Sequence, residues 1–353
     1  MEPLECFGLD VYRAPGFIDL QVNGFAGVDY NQPRTTHSEI GRSLRAQFAC
    51  GVTRLYPTVI TGPREDMLTC LRNLAAARET LPEGEAIAGF HVEGPHISPE
   101  DGPRGAHPLA SVRPPDYEEF LRWQDAARGL VRIVTLSPEW PEAVRYIERI
   151  ASAGVVASIG HTQASAAQIA AAVSAGATLS THLGNGTHQM LLRHPNYIWE
   201  QLAEDRLMAG FIGDGIHLGG AFLKSALRAK TIERSFLVTD AATPAGAAPG
   251  RYCLGDQPVD LTVDGRVVLA GTSRLAGSAL HMHQGVANLM RLAGLSLADA
   301  IRMATVNPAR AGKIPEYLWD AVEFRVTASQ QLEIIATWLS GRVVYGAPRE
   351  TAP

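Results

Sequence analysis

Polar residues that can do chemistry follow several short apolar runs of this chain. Glu93, His161 and His182 each stand directly after such a run or one residue beyond it. One carboxylate and two imidazoles form the three-ligand set of a catalytic zinc or similar divalent site, whose open position holds water. Such an ion lowers the pKa of its water to about 7, so that hydroxide becomes available at neutral pH. These residues therefore predict a hydrolytic centre with one divalent ion per subunit: zinc, with iron, manganese and cobalt as alternatives.

Asp240 follows a further apolar run and is a candidate acid–base residue. Beside a metal, its carboxylate would accept a proton from the attacking water and later deliver that proton to a leaving nitrogen. An N-cap or turn aspartate is the ordinary alternative. The catalytic interpretation is favoured because other runs also end in polar residues, among them Gln21, Asn23 and His217.

Elements that could position these residues recur along the chain as β-branched runs separated by helical patterns. The predicted strands cover residues 16–22, 53–59, 86–92, 131–136, 155–159, 177–181, 207–212 and 236–238. The predicted helices cover residues 38–50, 64–81, 116–127, 141–153, 165–175 and 219–229. Sequential parallel strands in this number close into an α/β fold of the (β/α)8 TIM-barrel type, whose chemistry lies at the C-terminal ends of the strands.

The remaining segments predict smaller elements outside the barrel. Residues 250–269 alternate as a small β excursion, and two helices are expected at 281–292 and 297–305, the second stopped near Asn307 and Pro308. Runs at 321–326, 331–339 and 342–345, together with residues 4–12, predict a side sheet made from both chain ends. The expected domains are 1–14 with 318–353 as a small β side domain, and 15–317 as the barrel.

The composition fits one large core and excludes several classes of protein. Of 353 residues, 46% are hydrophobic and 19% are charged, and 31 basic against 36 acidic residues give a net charge of −5. This charge favours neither nucleic acid nor an anionic membrane as a partner. Four well-separated cysteines indicate reduced thiols, and the acidic N-terminal segment lacks the apolar region of a secretory signal. The uncharged stretch 150–192 is interrupted by glycines and histidines, so we expect a cytoplasmic protein without a membrane span.

The motifs around these residues resemble the amidohydrolase superfamily, and within it most closely the N-acetylglucosamine-6-phosphate deacetylase family. The similar segments, which run in uninterrupted order, are PGFIDLQVNG at 15–24, GVT at 51–53, HVEGPH at 91–96, GHT at 160–162, THLGN at 181–185, GDGIH at 213–217, VTDA at 238–241 and TVNPA at 305–309. The resemblance implies that Glu93, His161 and His182 bind the metal and that Asp240 is the catalytic acid–base. It also implies that His107 contacts the acetyl carbonyl and stabilises the oxyanion.

The resemblance further implies substrate contacts. His217 matches a histidine that contacts sugar or phosphate, and Asn185 and Gly186 match positions whose amides touch the substrate. Gln21 and Asn23 stand where many amidohydrolases carry a His-x-His pair for a second metal. Because amides are weak metal ligands beside imidazole, we expect one metal, with these two amides bonded to its water or to the ligand.

The chain departs from the family pattern after the second histidine ligand. Residues 184–190, GNGTHQM, replace the usual Asn-Ala-Met sequence. Residues 191–197 differ from the region of the family in which an arginine of the neighbouring subunit binds the substrate phosphate. Arg193 is the candidate for this phosphate contact, and the resemblance implies a homodimer. The family usually has several more strands before PGFID, so the side sheet is expected to be reduced.

The leading hypothesis is a metal-dependent deacetylase that hydrolyses the acetamido group of an N-acetylhexosamine, first of all N-acetylglucosamine 6-phosphate, to the amino sugar phosphate and acetate. Metal-bound hydroxide would attack the acetyl carbon, with Asp240 as base and then acid. The alternatives are a deacetylase of an unphosphorylated N-acyl amino sugar, a cyclic-amide hydrolase of the dihydroorotase or hydantoinase type, and a non-catalytic binding protein. The missing His-x-His pair and the absence of lysine from residues 131–136 oppose the cyclic-amide reading.

Overall fold

A parallel barrel forms the centre of the structure, a computed structural model that describes residues 4–6, 10–315 and 319–347. Its eight strands, numbered 1 to 8 in chain order, are Phe17–Val22, Val52–Ile60, Phe90–Glu93, Val131–Leu136, Val156–Ile159, Ala177–Ser180, Met208–Ile212 and Ser235–Val238. Each strand pairs in parallel with the next. The predicted (β/α)8 fold is confirmed. Strand 3 is shorter than predicted because residues Gly84–Ala86 form a 3-10 turn.

The barrel closes where strand 8 meets strand 1, at the C-terminal ends of both strands. The Asp240 amide donates to the Gln21 carbonyl at 2.9 Å, and the Asn23 amide donates to the Ala241 carbonyl at 2.7 Å. Below this junction, the buried Asp19 carboxylate accepts bonds from the amide and the hydroxyl of Thr239. The closure therefore brings Asp240 beside the two amide side chains of strand 1.

Helices cover the outside of the barrel. In the described residues, those after strands 1 to 7 are His37–Phe48, Arg64–Thr80, Tyr117–Ala126, Ala143–Ser152, Ala166–Ser174, Tyr197–Ala203 and Gly220–Lys230. After strand 8 the chain forms Met282–Asn288, a π-helical turn Leu289–Ala293, Leu297–Ala304 and Val306–Ala311. Two of the barrel helices begin with a capping box, at Thr36 and Ser165. None of the helices described has the length and apolarity that a bilayer crossing requires.

Two short helices were not predicted. Tyr197–Ala203 has only seven residues, too few to show a helical period, although Asn196 caps it by accepting bonds from the amides of Ile198 and Trp199. Val306–Ala311 follows the helix Leu297–Ala304, which ends as predicted before Asn307 and Pro308. Proline is tolerated in a first helical turn because the amides there have no partner within the helix.

The two chain ends form the side sheet that the sequence predicts. Its strand order is Glu5–Cys6, Val11–Pro15, Ala321–Val326, Leu332–Leu339 and Arg342–Gly346. Buried Arg54 of strand 2 bonds Asp320 through two nitrogens, at 2.6 and 3.0 Å, and so holds this sheet against the bottom of the barrel. Residues 7–9 of the predicted strand 4–12, and the predicted domain boundary at 317–318, lie outside the described residues. The β excursion forms a separate antiparallel sheet of Gly250–Leu254, Gln257–Leu261 and Val267–Leu269.

The interior of the barrel changes from apolar to polar along its axis. One buried apolar cluster fills the barrel and includes Ile18, Leu20, Ile133, Leu179 and Phe236. The buried polar residues Gln21, Glu93, His182 and Asp240 lie at the C-terminal ends of strands or just beyond them. A packed apolar floor therefore supports a polar upper layer, which is where catalysis occurs in barrels of this type.

We expect Asp19 to be essential for closing the barrel. In Asp19→Ala, the hydroxyl and the amide of Thr239 lose a buried acceptor, and each such loss costs about 1–3 kcal/mol. The free energy of unfolding, measured by urea denaturation, should fall by about 2–5 kcal/mol. The control Asp125→Ala alters an exposed aspartate and should change it by no more than about 0.5 kcal/mol. Equal stability of the two variants would contradict this role.

Candidate metal centre and active site

Three side chains converge at the polar end of the barrel. Glu93 Oε1 lies 2.9 Å from His182 Nε2 and 3.2 Å from His161 Nε2, and the two imidazole nitrogens are 3.1 Å apart. All three residues are buried. The sequence predicted these residues at the ends of strands 3, 5 and 6, and the structure brings their ligand atoms within 3.2 Å of one another.

The backbone at this point adopts an uncommon conformation. His161, His182 and Asp240 each come two residues after a strand ends, and their φ angles are 49°, 28° and 49°. The left-handed region disfavours side chains that carry a Cβ, and such conformations concentrate at functional sites. The turn redirects each side chain from the barrel wall toward the axis. No pattern of residue types predicts this shared conformation.

The donor set fits a metal ion. His161 Nδ1 donates to the Pro103 carbonyl at 2.8 Å, which leaves the lone pair of Nε2 directed at Glu93 and His182. Burial alone would raise the pKa of Glu93, but the two adjacent imidazoles hold that pKa well below its usual range. An ionised carboxylate and two imidazole nitrogens are the ligands that zinc and related divalent ions take.

A glycine is required beside this centre. A Cβ on Gly186, whose φ is 58°, would lie 2.7 Å from His161 Nδ1. This approach is closer than real Cβ contacts allow, so any other residue would displace the His161 ring or the loop. Gly186 therefore lets the backbone pass directly over the His161 ring.

Asp240 is held by two amides of strand 1. Asn23 Nδ2 donates to Asp240 Oδ1 at 2.7 Å, and Gln21 Nε2 donates both to the same oxygen at 3.2 Å and to Glu93 Oε1 at 2.8 Å. Burial, reinforced by the charge of Glu93, raises the pKa of Asp240 to about 6. The two amides thus orient both carboxylates, and a carboxyl with a pKa of about 6 suits proton transfer near neutral pH.

His107 lies beside the candidate metal ligand His161. Its ring is 4.4 Å from that of His161, and its Nδ1 lies 2.8 Å from Thr61 Oγ1. Burial lowers the pKa of His107 to about 3, so the ring is neutral. A hydroxyl of Thr61 that donates to Nδ1 leaves the proton on Nε2, which is the tautomer that can donate to an oxyanion.

A cavity of about 600 Å³ opens above these residues. Of the residues that the sequence predicted, it is lined by Asn23, Glu93, His107, His161, His182, Asn185, Gly186, His217 and Asp240. His217 Nδ1 bonds Asp214 Oδ2 at 2.6 Å, which fixes the ring at the cavity wall. Gln21 lies beneath the cavity rather than in its lining, and Arg193 is exposed on a loop outside it.

Some residues of the site were missed from the sequence. Thr61 follows strand 2 directly, so the rule of polar residues after strands applied to it as well. Pro103 contributes only a carbonyl, which no side-chain pattern reveals. Arg266 and Arg274 line the cavity because the β excursion covers its outer wall. Arg266 lies in the turn before the strand Val267–Leu269 and Arg274 lies after that strand, and only the folded chain places them at the cavity.

Comparison with known proteins agrees with this geometry. The model of the amidohydrolase family matches residues 12–344. The chain belongs to the amidohydrolase family. It is 36% identical over 349 residues to the N-acetylglucosamine-6-phosphate deacetylase of Bos taurus, which covers 94% of this chain and 83% of that protein. It is 34% identical to the N-acetylgalactosamine-6-phosphate deacetylase of Shewanella sp. (strain ANA-3), with 94% and 83% covered.

Solved structures of this amidohydrolase family are similar throughout. A mutant of the N-acetyl-D-glucosamine-6-phosphate deacetylase from Mycobacterium smegmatis, in complex with N-acetyl-D-glucosamine-6-phosphate, superposes with a TM-score of 0.86 at 32% identity, covering 94% of this chain and 86% of that one. The N-acetylglucosamine-6-phosphate deacetylase from Thermotoga maritima gives a TM-score of 0.84 at 25% identity, covering 98% and 94%. The similarity therefore includes both the barrel and the side sheet.

Loss of one ligand should release a metal from this centre. We expect His182→Ala to weaken binding by more than about 100-fold, because removal of even an outer partner of a ligand costs about 10–100-fold. The measurement is competition for zinc against a chromogenic chelator. His194→Ala, which alters an exposed histidine outside the cavity, should bind zinc like the parent protein. The same affinity in both variants would remove His182 from the ligand set.

Proposed function

We propose that this protein is a metal-dependent deacetylase of an N-acetylated amino sugar, with N-acetylglucosamine 6-phosphate as the leading substrate. The observation that carries the proposal is the convergence of Glu93, His161 and His182 on one point, with Asp240 and His107 beside them. The family relatives support an acetamido substrate. This is a hydrolase of linear amide bonds that gives acetate and a free amine.

Glu93, His161 and His182 are the residues that would hold one divalent ion. When bound there, a divalent ion supplies Lewis acidity, which lowers the pKa of a water to about 7 and polarises a carbonyl. Zinc is the first choice for this donor set, with iron, manganese and cobalt as alternatives.

Asp240 would move the proton. The bonds from Gln21 and Asn23 occupy Asp240 Oδ1, so Oδ2 is left for the attacking water. The ionised carboxylate takes a proton as water attacks the acetyl carbon, and the protonated form returns it to the departing nitrogen. A pKa of about 6 allows both forms to be used in one cycle.

His107 would stabilise the developing charge on the acetyl oxygen. With the Thr61 hydroxyl donating to Nδ1, the neutral ring would carry its proton on Nε2 and could donate a hydrogen bond to an oxyanion. Donors of this kind act mainly on the transition state, and removal of one costs about 10²–10³ in kcat.

The first test is acetate release from N-acetylglucosamine 6-phosphate, N-acetylgalactosamine 6-phosphate and the unphosphorylated sugars. We expect turnover of at least one of them, and Asp240→Asn should lower kcat by about 10²–10⁴ because the proton carrier is lost. The variant should still bind zinc, since Asp240 is not in the ligand set. Asp125→Asn, at an exposed site, is the matched control.

One result would contradict the deacetylase assignment, and another would contradict the role of Asp240. One is a metal-loaded protein that releases no acetate from any of the four sugars. The other is an Asp240→Asn variant with the turnover of the parent, which would remove Asp240 from proton transfer while leaving the deacetylase assignment intact.

The proposal includes a homodimer in which Arg193 serves the neighbouring site. Arg193 is exposed outside the cavity of its own chain, and beside it Met190 and Leu192 are 90% and 76% exposed. Large apolar side chains exposed next to each other mark a surface that another protein covers. A second copy docked on this loop would bury them and bring an arginine toward a substrate phosphate.

Arg193→Ala should raise the KM for a phosphorylated substrate by about 10–100-fold, because a charged hydrogen bond to phosphate is lost. The KM for the unphosphorylated sugar should stay unchanged, and the exposed Arg228→Ala is the control. Mixing the Arg193→Ala and Asp240→Asn variants should restore activity. In a mixed dimer, one site combines the intact Asp240 of the first variant with the intact Arg193 of the second. Failure of the mixture in a confirmed dimer would place Arg193 outside the neighbouring site.

A further inference from the structure

A second cluster of metal-binding residue types lies outside the cavity. Cys50 follows the helix His37–Phe48, and His281 and His283 lie at the start of the helix Met282–Asn288. Their ligand atoms all lie within 4.8 Å of one another. The cluster thus joins two helices that are distant in sequence, and none of its members lines the catalytic cavity.

One polar atom of this cluster is left unpartnered. Among the described residues, the buried His283 Nδ1 has no hydrogen-bond partner, whereas the buried Cys50 thiol donates to the Ala46 carbonyl at 3.4 Å. Orphaned buried polar atoms are uncommon in folded proteins, and an ion that binds them is one explanation. The His281 ring is held at 5.1 Å from Phe25 and 5.6 Å from His283, so the two imidazoles are fixed beside each other.

We propose that Cys50, His281 and His283 form a second metal site, which takes zinc or another transition ion that prefers sulfur and nitrogen ligands. Thiolate and imidazole select such ions over magnesium or calcium, whose ligands are oxygens. Three protein ligands leave a fourth position open, and the partial exposure of both histidines lets water reach it.

When a metal ion binds at this site, it replaces the proton of the Cys50 thiol. The S–H bond of Cys50 breaks, its proton leaves to solvent, and a sulfur–metal bond forms. Each histidine would bind through a ring nitrogen of its neutral imidazole, and Cys50 would bind as the thiolate. No oxidant or further reactant is required.

An ion at this site would stabilise the region next to Asp240. The segment that leads into the helix Met282–Asn288 includes Ser278, whose amide donates to the Asp240 carbonyl at 2.9 Å and whose hydroxyl donates to the Thr239 carbonyl at 2.5 Å. A ligand that binds only the folded state raises its stability. A metal ion at the second site would therefore stabilise the segments next to the junction between strand 8 and strand 1.

Cobalt distinguishes this site from the catalytic centre, because only the second site offers sulfur. We expect the metal-free full-length protein, titrated with Co²⁺, to develop a near-ultraviolet sulfur-to-cobalt charge-transfer band and to bind one equivalent more than Cys50→Ser. Cys50→Ser should lose the band completely, while Cys253→Ser, at an exposed cysteine, should keep it. His283→Gln should weaken the binding that produces the band by more than about 10-fold.

The proposal fails if the folded parent protein shows no sulfur-to-cobalt band at saturating cobalt, or if the band survives in Cys50→Ser. Circular dichroism of each variant reports folding. If Cys50→Ser does not fold, His283→Gln decides the question, because an unchanged band and affinity in that variant would equally overturn the site. None of these readouts depends on deacetylase activity.

Discussion

The closure between strand 8 and strand 1 is the constraint on which the site depends. A sheet that closes on itself has to join its last strand to its first, and here the joining bonds lie at the catalytic end. The Asp240 amide bonds the Gln21 carbonyl, and Asp19 fastens Thr239 directly below. The same contacts that complete the barrel therefore set the distance between the Asp240 carboxylate and the amides that orient it.

The two amides on strand 1 explain why one metal is expected rather than two. Gln21 donates to both Glu93 and Asp240, and Asn23 donates to Asp240. Neutral donors stabilise two nearby carboxylates without adding a second cation. Burial and the charge of Glu93 raise the pKa of Asp240 to about 6.

Much of this arrangement could be predicted from the sequence, because barrel strands have strong apolar patterns and polar residues follow them. The candidate ligands Glu93, His161 and His182 were predicted in this way, and the structure brings them together. Thr61 was missed although it obeys the same rule, and the Pro103 carbonyl could not be found, since a backbone acceptor has no signature in the residue type. Arg274, which follows the β excursion, lines the cavity. Packing between segments that are distant in sequence leaves no local pattern.

At His161, His182 and Asp240, the left-handed backbone lowers the stability of the fold, while the side chain supplies the chemistry of the site. Each such conformation costs about 1–3 kcal/mol with an ordinary side chain, and glycine would relieve much of that cost. A selection for heat resistance alone would thus favour glycine at these three positions and erase two imidazoles and a carboxylate. Engineering of a more robust variant has to hold all three fixed and find its gains elsewhere in the barrel.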